Sequence, residues 1–254
     1  MNKVWVLYRN ELYKLFRAKK MLILLIVLLL IPFATRLMFG QNYYMEQVSS
    51  TQIFTAEEMI DNHRGSMESR RMEMLDMVSY GGYPELEIIA HAYDNALEEF
   101  GTLAANDPQF AGRAYMLELL STTRLAETLL DPAAAGYEGE LPEDVFADRE
   151  FILSIENWVH ELTLDRAGAE RLHELGRQAL EDQSVASYAS FKIERIEQDL
   201  ASYPYSDSMI RMLEIERSYY EDVQANNSMS ERELYNPEYV NRRLNTLQTI
   251  AELE

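Results

Sequence analysis

Residues Met21 to Gly40 read MLILLIVLLLIPFATRLMFG. At helical rise, roughly 20 mostly apolar residues cross the hydrocarbon core of a bilayer. The one charge, Arg36, stands near the far end, where a long side chain can carry its guanidinium to the interface. The sequence therefore predicts a membrane-anchored chain with a single spanning helix over 21–40, since no other window of about 18 apolar residues follows. A cleaved signal peptide is the alternative, and Met21 to Ala34 has a suitable length for its apolar core. However, Thr35-Arg36-Leu37-Met38-Phe39-Gly40 lacks a small-residue cleavage pattern, and the charged region before the run is long. The segment reads as retained.

Charge fixes the expected orientation. Lys3, Arg9, Lys14, Arg17, Lys19 and Lys20 precede the apolar run, against the single acid Glu11. Basic residues within about 15–20 positions of a span stay cytoplasmic. The N-terminus is thus expected inside, and residues 41–254 outside, as on a bacterial surface. Of 23 Lys and Arg and 43 Asp and Glu in the chain, residues 1–36 hold seven and one, leaving the remainder with a net charge of −26. Lys192 is the only lysine beyond the cytoplasmic end. So acidic an exterior excludes nucleic acid as a natural partner.

The first 20 residues pattern as more than a topogenic tail. Val4, Trp5, Tyr8, Leu12, Leu15 and Phe16 recur at helical spacing, with Lys3, Asn10, Lys14 and Arg17 on another face. Trp5, Tyr8 and Tyr13 suit the headgroup level, where amphipathic rings settle. This pattern predicts an amphipathic helix over 1–20 lying in the inner-leaflet interface, with Trp5, Tyr8, Leu12, Tyr13, Phe16, Arg17, Lys19 and Lys20 as its membrane-contacting residues.

The string Arg9-Asn10-Glu11-Leu12-Tyr13-Lys14-Leu15-Phe16-Arg17-Ala18-Lys19-Lys20, followed at once by an apolar run, resembles the start of type 2 ABC exporter permeases. That family shows a Glu-Leu-x-Lys-Leu-like core on an amphipathic helix, a basic cluster, then the first transmembrane helix. The resemblance covers about the first 40 residues. It implies a membrane subunit of an ATP-driven exporter, paired with a separate cytoplasmic ATPase and with a second permease copy. It also implies that 41–254 is a large extracytoplasmic insertion after the first span, serving gating or recognition of substrate or partner. A permease half of this family has about six spanning helices and this chain has one. It is therefore expected to be the N-terminal part of a longer protein or a stand-alone relative. A single-pass anchored helical protein, acting as a sensor input or interaction module, is the reading from a different class.

Residues 41–254 read as all-α. Thr55-Ala56-Glu57-Glu58 is a capping-box start. Leu86, Ile89, Ala90, Tyr93, Leu97, Phe100 and Leu103 form one helical stripe. Ile152, Ile155, Val159 and Leu162 form a second, and Ala189, Ile193, Ile196 and Leu200 a third. Leu213, Tyr220 and Val223 continue the pattern. Breakers fall between the stripes, at Gly81-Gly82-Tyr83-Pro84, Asn106-Asp107-Pro108, Asp131-Pro132, Gly139 to Pro142, Tyr203-Pro204 and Asn236-Pro237. Residues 131–148 are the best candidate linker, which would divide the exterior part into 41–130 and 149–254. The chain has no cysteine, so helix packing must supply stability without disulfides.

Signals for catalysis are thin. No phosphate-cradling G-x-x-x-x-G-K-[ST] occurs, so the chain is expected not to be an enzyme, and any ATP hydrolysis falls to a separate subunit. No cofactor is expected. His160-Glu161 lacks the second His of H-E-x-x-H. Glu170 and His173 have a Glu-x-x-His spacing, but a di-iron site needs two such pairs and two further carboxylates. Glu87, His91 and Glu98 share a helical face, and His91 reads as a packed or surface histidine. No metal site is therefore expected. Met59, Met67, Met72, Met74 and Met77 read as core filling. His63, Arg64, Arg70 and Arg71 form a local basic cluster, expected to pair with Glu57, Glu68 and Glu73. Tyr43-Tyr44 and Tyr219-Tyr220 are candidate aromatic contacts to membrane or partner.

Overall fold

A computed structural model of the protein describes residues 53–80, 85–139, 141–142, 144–158, 165–202 and 205–251. The expected interfacial helix with its membrane-contacting residues, the span over 21–40, Tyr43-Tyr44, the breakers at 81–84 and 203–204, and Val159, His160, Glu161 and Leu162 lie outside the described residues. Among the described residues no helix is long and apolar enough to cross a membrane.

The described residues are all-α, without a strand. Helix α1 spans Ala56–Ser79, α2 Glu85–Asn106, α3 Pro108–Ala111, α4 Met116–Leu130 and α5 Arg149–Trp158. They are followed by α6 (Arg166–Asp182), α7 (Val185–Ser202), α8 (Asp207–Asn226), α9 (Glu231–Tyr235) and α10 (Pro237–Ala251). Caps explain several of these starts. Thr55 accepts from Glu58 N at 3.2 Å, and the Glu58 carboxylate accepts from Thr55 N at 2.8 Å, completing the box read from sequence. Asp107 and Asp165 accept from the amides of Phe110 and Gly168. Pro108 and Pro237 open α3 and α10, where a missing amide proton costs nothing.

The helices pack in series: α1 on α2, α2 on α4, α4 on α6, α6 on α7, α7 on α8 and α8 on α10. Helix α2 also touches α3 and α5, and its burial is correspondingly wide. Ile88, Ala92 and Ala96 join the expected stripe in the core. The α4–α6 crossing is tight because Gly176 lacks a side chain: a Cβ there would collide with the hydroxyl of fully buried Thr123. Gly112 is similarly pressed, since its Cβ would lie 2.7 Å from the Ala56 Cα.

Residues on both sides of 131–148 share one hydrophobic core, Phe100 and Leu120 with Leu172 and Phe191. The stretch itself is fastened down. His91 Nε2–H donates to the Ala135 carbonyl at 2.9 Å, Asn95 donates to the same oxygen at 3.1 Å, and Val145 enters the core. Residues 53–254 form one compact unit.

The methionines divide by helical phase. Met59, Met67 and Met74 are buried and Met77 half-buried, whereas Met72 is exposed. The basic cluster on α1 is not one surface feature. His63 falls in phase with Met59 and Met67, and is buried edge-on against Phe100 with Nε2–H donating to the Arg113 carbonyl at 2.9 Å. Arg71 pairs with Asp94 on the neighbouring helix α2, not with the acids of α1 expected from sequence.

Two backbone bonds close the domain on itself. Phe54 N–H donates to the Tyr235 carbonyl at 3.3 Å, and Ala114 N–H to the Leu234 carbonyl at 2.7 Å. The Tyr235 hydroxyl adds a bond to the Gln109 carbonyl at 3.1 Å. The start of α1 and the joint before α10 therefore lie side by side.

Candidate ligand-binding site

Helix α7 carries a single face of unusual composition. Tyr188, Lys192, Arg195 and Asp199 follow one another at spacings of four, three and four, with Ile196 four beyond Lys192, so they share one side of the helix. Helix α8 answers with Met209, Met212, Leu213, Glu216 and Tyr220 at similar spacing. Glu118 of α4 rises beneath them.

The polar groups form a connected cluster. Lys192 Nζ lies 2.8 Å from Glu118 Oε1 and 3.3 Å from Glu216 Oε1. Arg195 also donates to Glu118. The Tyr188 hydroxyl reaches Glu118 Oε2 at 3.4 Å. The Glu118 side chain is 25% exposed and that of Lys192 14%. Burial alone would raise the Glu118 pKa, but Lys192 and Arg195 outweigh it and hold the carboxyl down at about 2. Burial alone would lower the Lys192 pKa, but Glu118 outweighs it and raises the ammonium above its ordinary value. Both groups stay charged, and each needs the other, because an unpaired charge at this depth is costly.

An aromatic wall backs the cluster. Tyr115 and Tyr188 stack at 3.9 Å between centroids, and Tyr220 meets Tyr188 edge-on at 5.9 Å. The Lys192 ammonium sits 5.9 Å from the Tyr220 ring centroid. Burial pushes the Tyr220 hydroxyl up to about 12 and Tyr188 well above its ordinary range. Tyr219 is held by Glu233, whose carboxylate accepts its hydroxyl at 3.0 Å. The Tyr219-Tyr220 pair is therefore interior. Its aromatic contacts are made within the domain, not to a membrane or partner.

Above the cluster opens a cavity of about 630 Å³ between α7, α8 and α10. Lys192, Arg195, Asp199 and Glu216 supply its charged lining. Ile196, Met209, Met212, Leu213 and Leu244 supply an apolar one. Tyr205, at the joint before α8, and Asn241 and Asn245 of α10 complete the rim. Met209, Asn241 and Asn245 are exposed, so the mouth faces solvent. A few polar groups converging on an apolar hollow of this size are the usual make-up of a small-molecule site.

The other residues singled out from sequence assemble no second site. Glu170 is exposed and His173 half-buried on α6. His91 is committed to Ala135 and packs against Tyr137 at 5.5 Å. Among the described residues no group of His, Asp and Glu is placed to hold a metal ion. The cavity itself was not read from the sequence. Its one visible trace was Lys192, the one lysine of the acidic stretch after Lys20. No family model, curated protein or solved structure matches the chain.

Proposed function

We propose that the chain is a membrane subunit of an ATP-driven ABC exporter, the permease or its N-terminal portion, whose acidic helical domain recognises a ligand in the cavity between α7, α8 and α10. The run Arg9 to Lys20 leading into Met21 to Gly40 supports the exporter assignment by resemblance. The observation that carries it furthest within the domain is the pairing of Phe54 with Tyr235. The clamp brings the start of the domain beside the joint that leads into α10, which suits a domain entered and left on one side. The N-terminal helix is assigned to the inner leaflet, where it would contact the cytoplasmic ATPase and pass motion to the span.

Two experiments test the reading. A photo-crosslinking residue at Asn10 or Lys14, on the polar face, in the source membranes, is expected to capture a protein carrying a phosphate-binding G-x-x-x-x-G-K-[ST] loop. Replacing Trp5, Leu12 and Phe16 together with Ser is expected to reduce export more than membrane insertion, because the apolar face is lost while the span is kept. Capture of no ATPase, together with normal export by the triple variant, would overturn the assignment. Topology is read separately. The chain has no cysteine, so Tyr80→Cys, at an 88% exposed position, gives a single label site. It is expected to react with an impermeant maleimide on intact cells, whereas Lys14→Cys reacts only after permeabilisation.

A further inference from the structure

The charged lining of the cavity is balanced and satisfied from within. Lys192 and Arg195 stand against Asp199 and Glu216, two charges of each sign. Lys192 is held by Glu118 and Glu216, and Arg195 donates to Glu118. Asp199 is partnered as well. An ion entering this space would shed its water for a lining with no net opposite charge to offer, and such an exchange is costly. An uncharged body meets no such penalty. Ile196, Met209, Met212, Leu213 and Leu244 give it an apolar wall, and methionine side chains adapt to varied shapes. The mouth is polar without being charged. Asn241 and Asn245 stand four apart on one side of α10, and both are exposed. Each carboxamide offers two donor protons and an acceptor oxygen, open to solvent.

We propose that the cavity binds an uncharged amphiphile, an apolar body that ends in a hydroxyl-bearing head. The methionine, leucine and isoleucine walls hold the body. The head sits at the mouth, where hydroxyls both donate to and accept from the Asn241 and Asn245 carboxamides. Cations and anions with the same body are disfavoured alike, because neither gains a counter-charge for the water it loses. The inference deepens the ligand-recognition part of the function proposed above and rests on it. Its test uses binding alone, so its failure leaves the crosslink to an ATPase untouched, and failure of the crosslink leaves the binding result standing.

The full chain, carrying carbon-13 in its methionine methyl groups, is placed in lipid nanodiscs and followed by NMR. Salt is kept at about 0.15 M, where exposed charges more than about 8 Å apart are largely screened. Met209 and Met212 report from the cavity wall, and Met67 and Met74, buried on α1, are internal controls. Signals are assigned by replacing each methionine in turn with Leu. The probes share a hexyl tail and differ in the head: hexyl glucoside, hexyltrimethylammonium and hexyl sulfate, with free concentrations read after dialysis. Hexyl glucoside is expected to shift the Met209 and Met212 signals saturably and to leave Met67 and Met74 in place. Each ionic probe is expected to need at least tenfold more for the same shift. Asn241→Ala and Asn245→Ala together remove both carboxamides at exposed helical positions, where Ala is the best helix former. This pair is expected to raise the half-saturating concentration of hexyl glucoside at least fivefold, with unmoved Met67 and Met74 signals showing that the fold is kept. No saturable shift at Met209 and Met212, an ionic probe acting within tenfold of the glucoside, or a double variant short of the fivefold change would each overturn the proposal.

Discussion

Two ends of the same helical stack solve burial differently. Around α2 and α4 the interior is filled by Leu86, Ile88, Phe100, Leu119 and Leu120, with polar exceptions such as Thr123, whose hydroxyl bonds back to the Leu119 carbonyl at 2.6 Å. Between α7, α8 and α10 the corresponding space holds a charge cluster, tyrosines and an open cavity. The first end gains stability from area removed from water, which is non-directional and tolerant of small shifts. The second depends on pairs whose members are destabilising when separated. A stack built wholly in the first manner would be more robust and would have no place for a ligand.

The contrast can be broken by mutation. Phe100 is fully buried in the apolar end, and Phe100→Ala is expected to lose ~3–5 kcal/mol in urea unfolding, through lost transfer energy and a residual cavity. At the polar end the sensitivity is to acid. The Glu118 carboxyl has a folded pKa near 2, below its ordinary 4.5, so the stability it contributes is complete above about pH 4.5 and is lost as pH falls towards 2. That contribution is about 3 kcal/mol at most, and less because the side chain remains partly exposed. Glu118→Gln is expected to flatten the stability profile between pH 4.5 and 2, and an unchanged acid limb would show that the cluster is not what titrates. His63 belongs to the apolar end and adds an earlier step. Burial lowers its pKa, so its contribution is lost as pH falls through its unfolded value near 6.5.

Smaller effects sharpen the comparison. Lys192→Met leaves Glu118 and Glu216 facing each other and is expected to cost ~2 kcal/mol, below the range for fully buried pairs because water reaches the cluster. Combining it with Glu118→Gln should cost less than the sum of the two single changes, as a double-mutant cycle would show. Smallest is a gain. Gln183 ends α6 in the left-handed region at φ 52°, which favours glycine. Gln183→Gly is expected to raise stability by up to ~1 kcal/mol, since relief of strain exceeds the added freedom of the unfolded chain.

Much of the helical plan was legible in the sequence because it is local. The Thr55 box, the α2 stripe and the prolines at 108, 132 and 237 each act within a few residues. The apolar stripe of α7 was legible too, as Ala189, Ile193, Ile196 and Leu200, although its polar face was not. Which helices meet was not. The Glu118–Lys192 bond joins residues 74 apart, and periodicity says nothing about such a pairing. The interior Tyr219-Tyr220 pair and the split of the α1 basic cluster were missed for the same reason. A side chain's depth depends on the neighbouring helix, as Asp94 of α2 shows for Arg71.

The clamp between Phe54 and Tyr235 also determines how the domain meets tension. A pull applied across these two points is taken up by the bonds at Phe54, Ala114 and Tyr235, a short load path that bypasses α4 to α8. Helix α10 continues beyond Tyr235 and forms one wall of the cavity. Tension across the clamp leaves the hollow undistorted until those bonds give way, whereas tension that enters along α10 reaches the cavity wall directly.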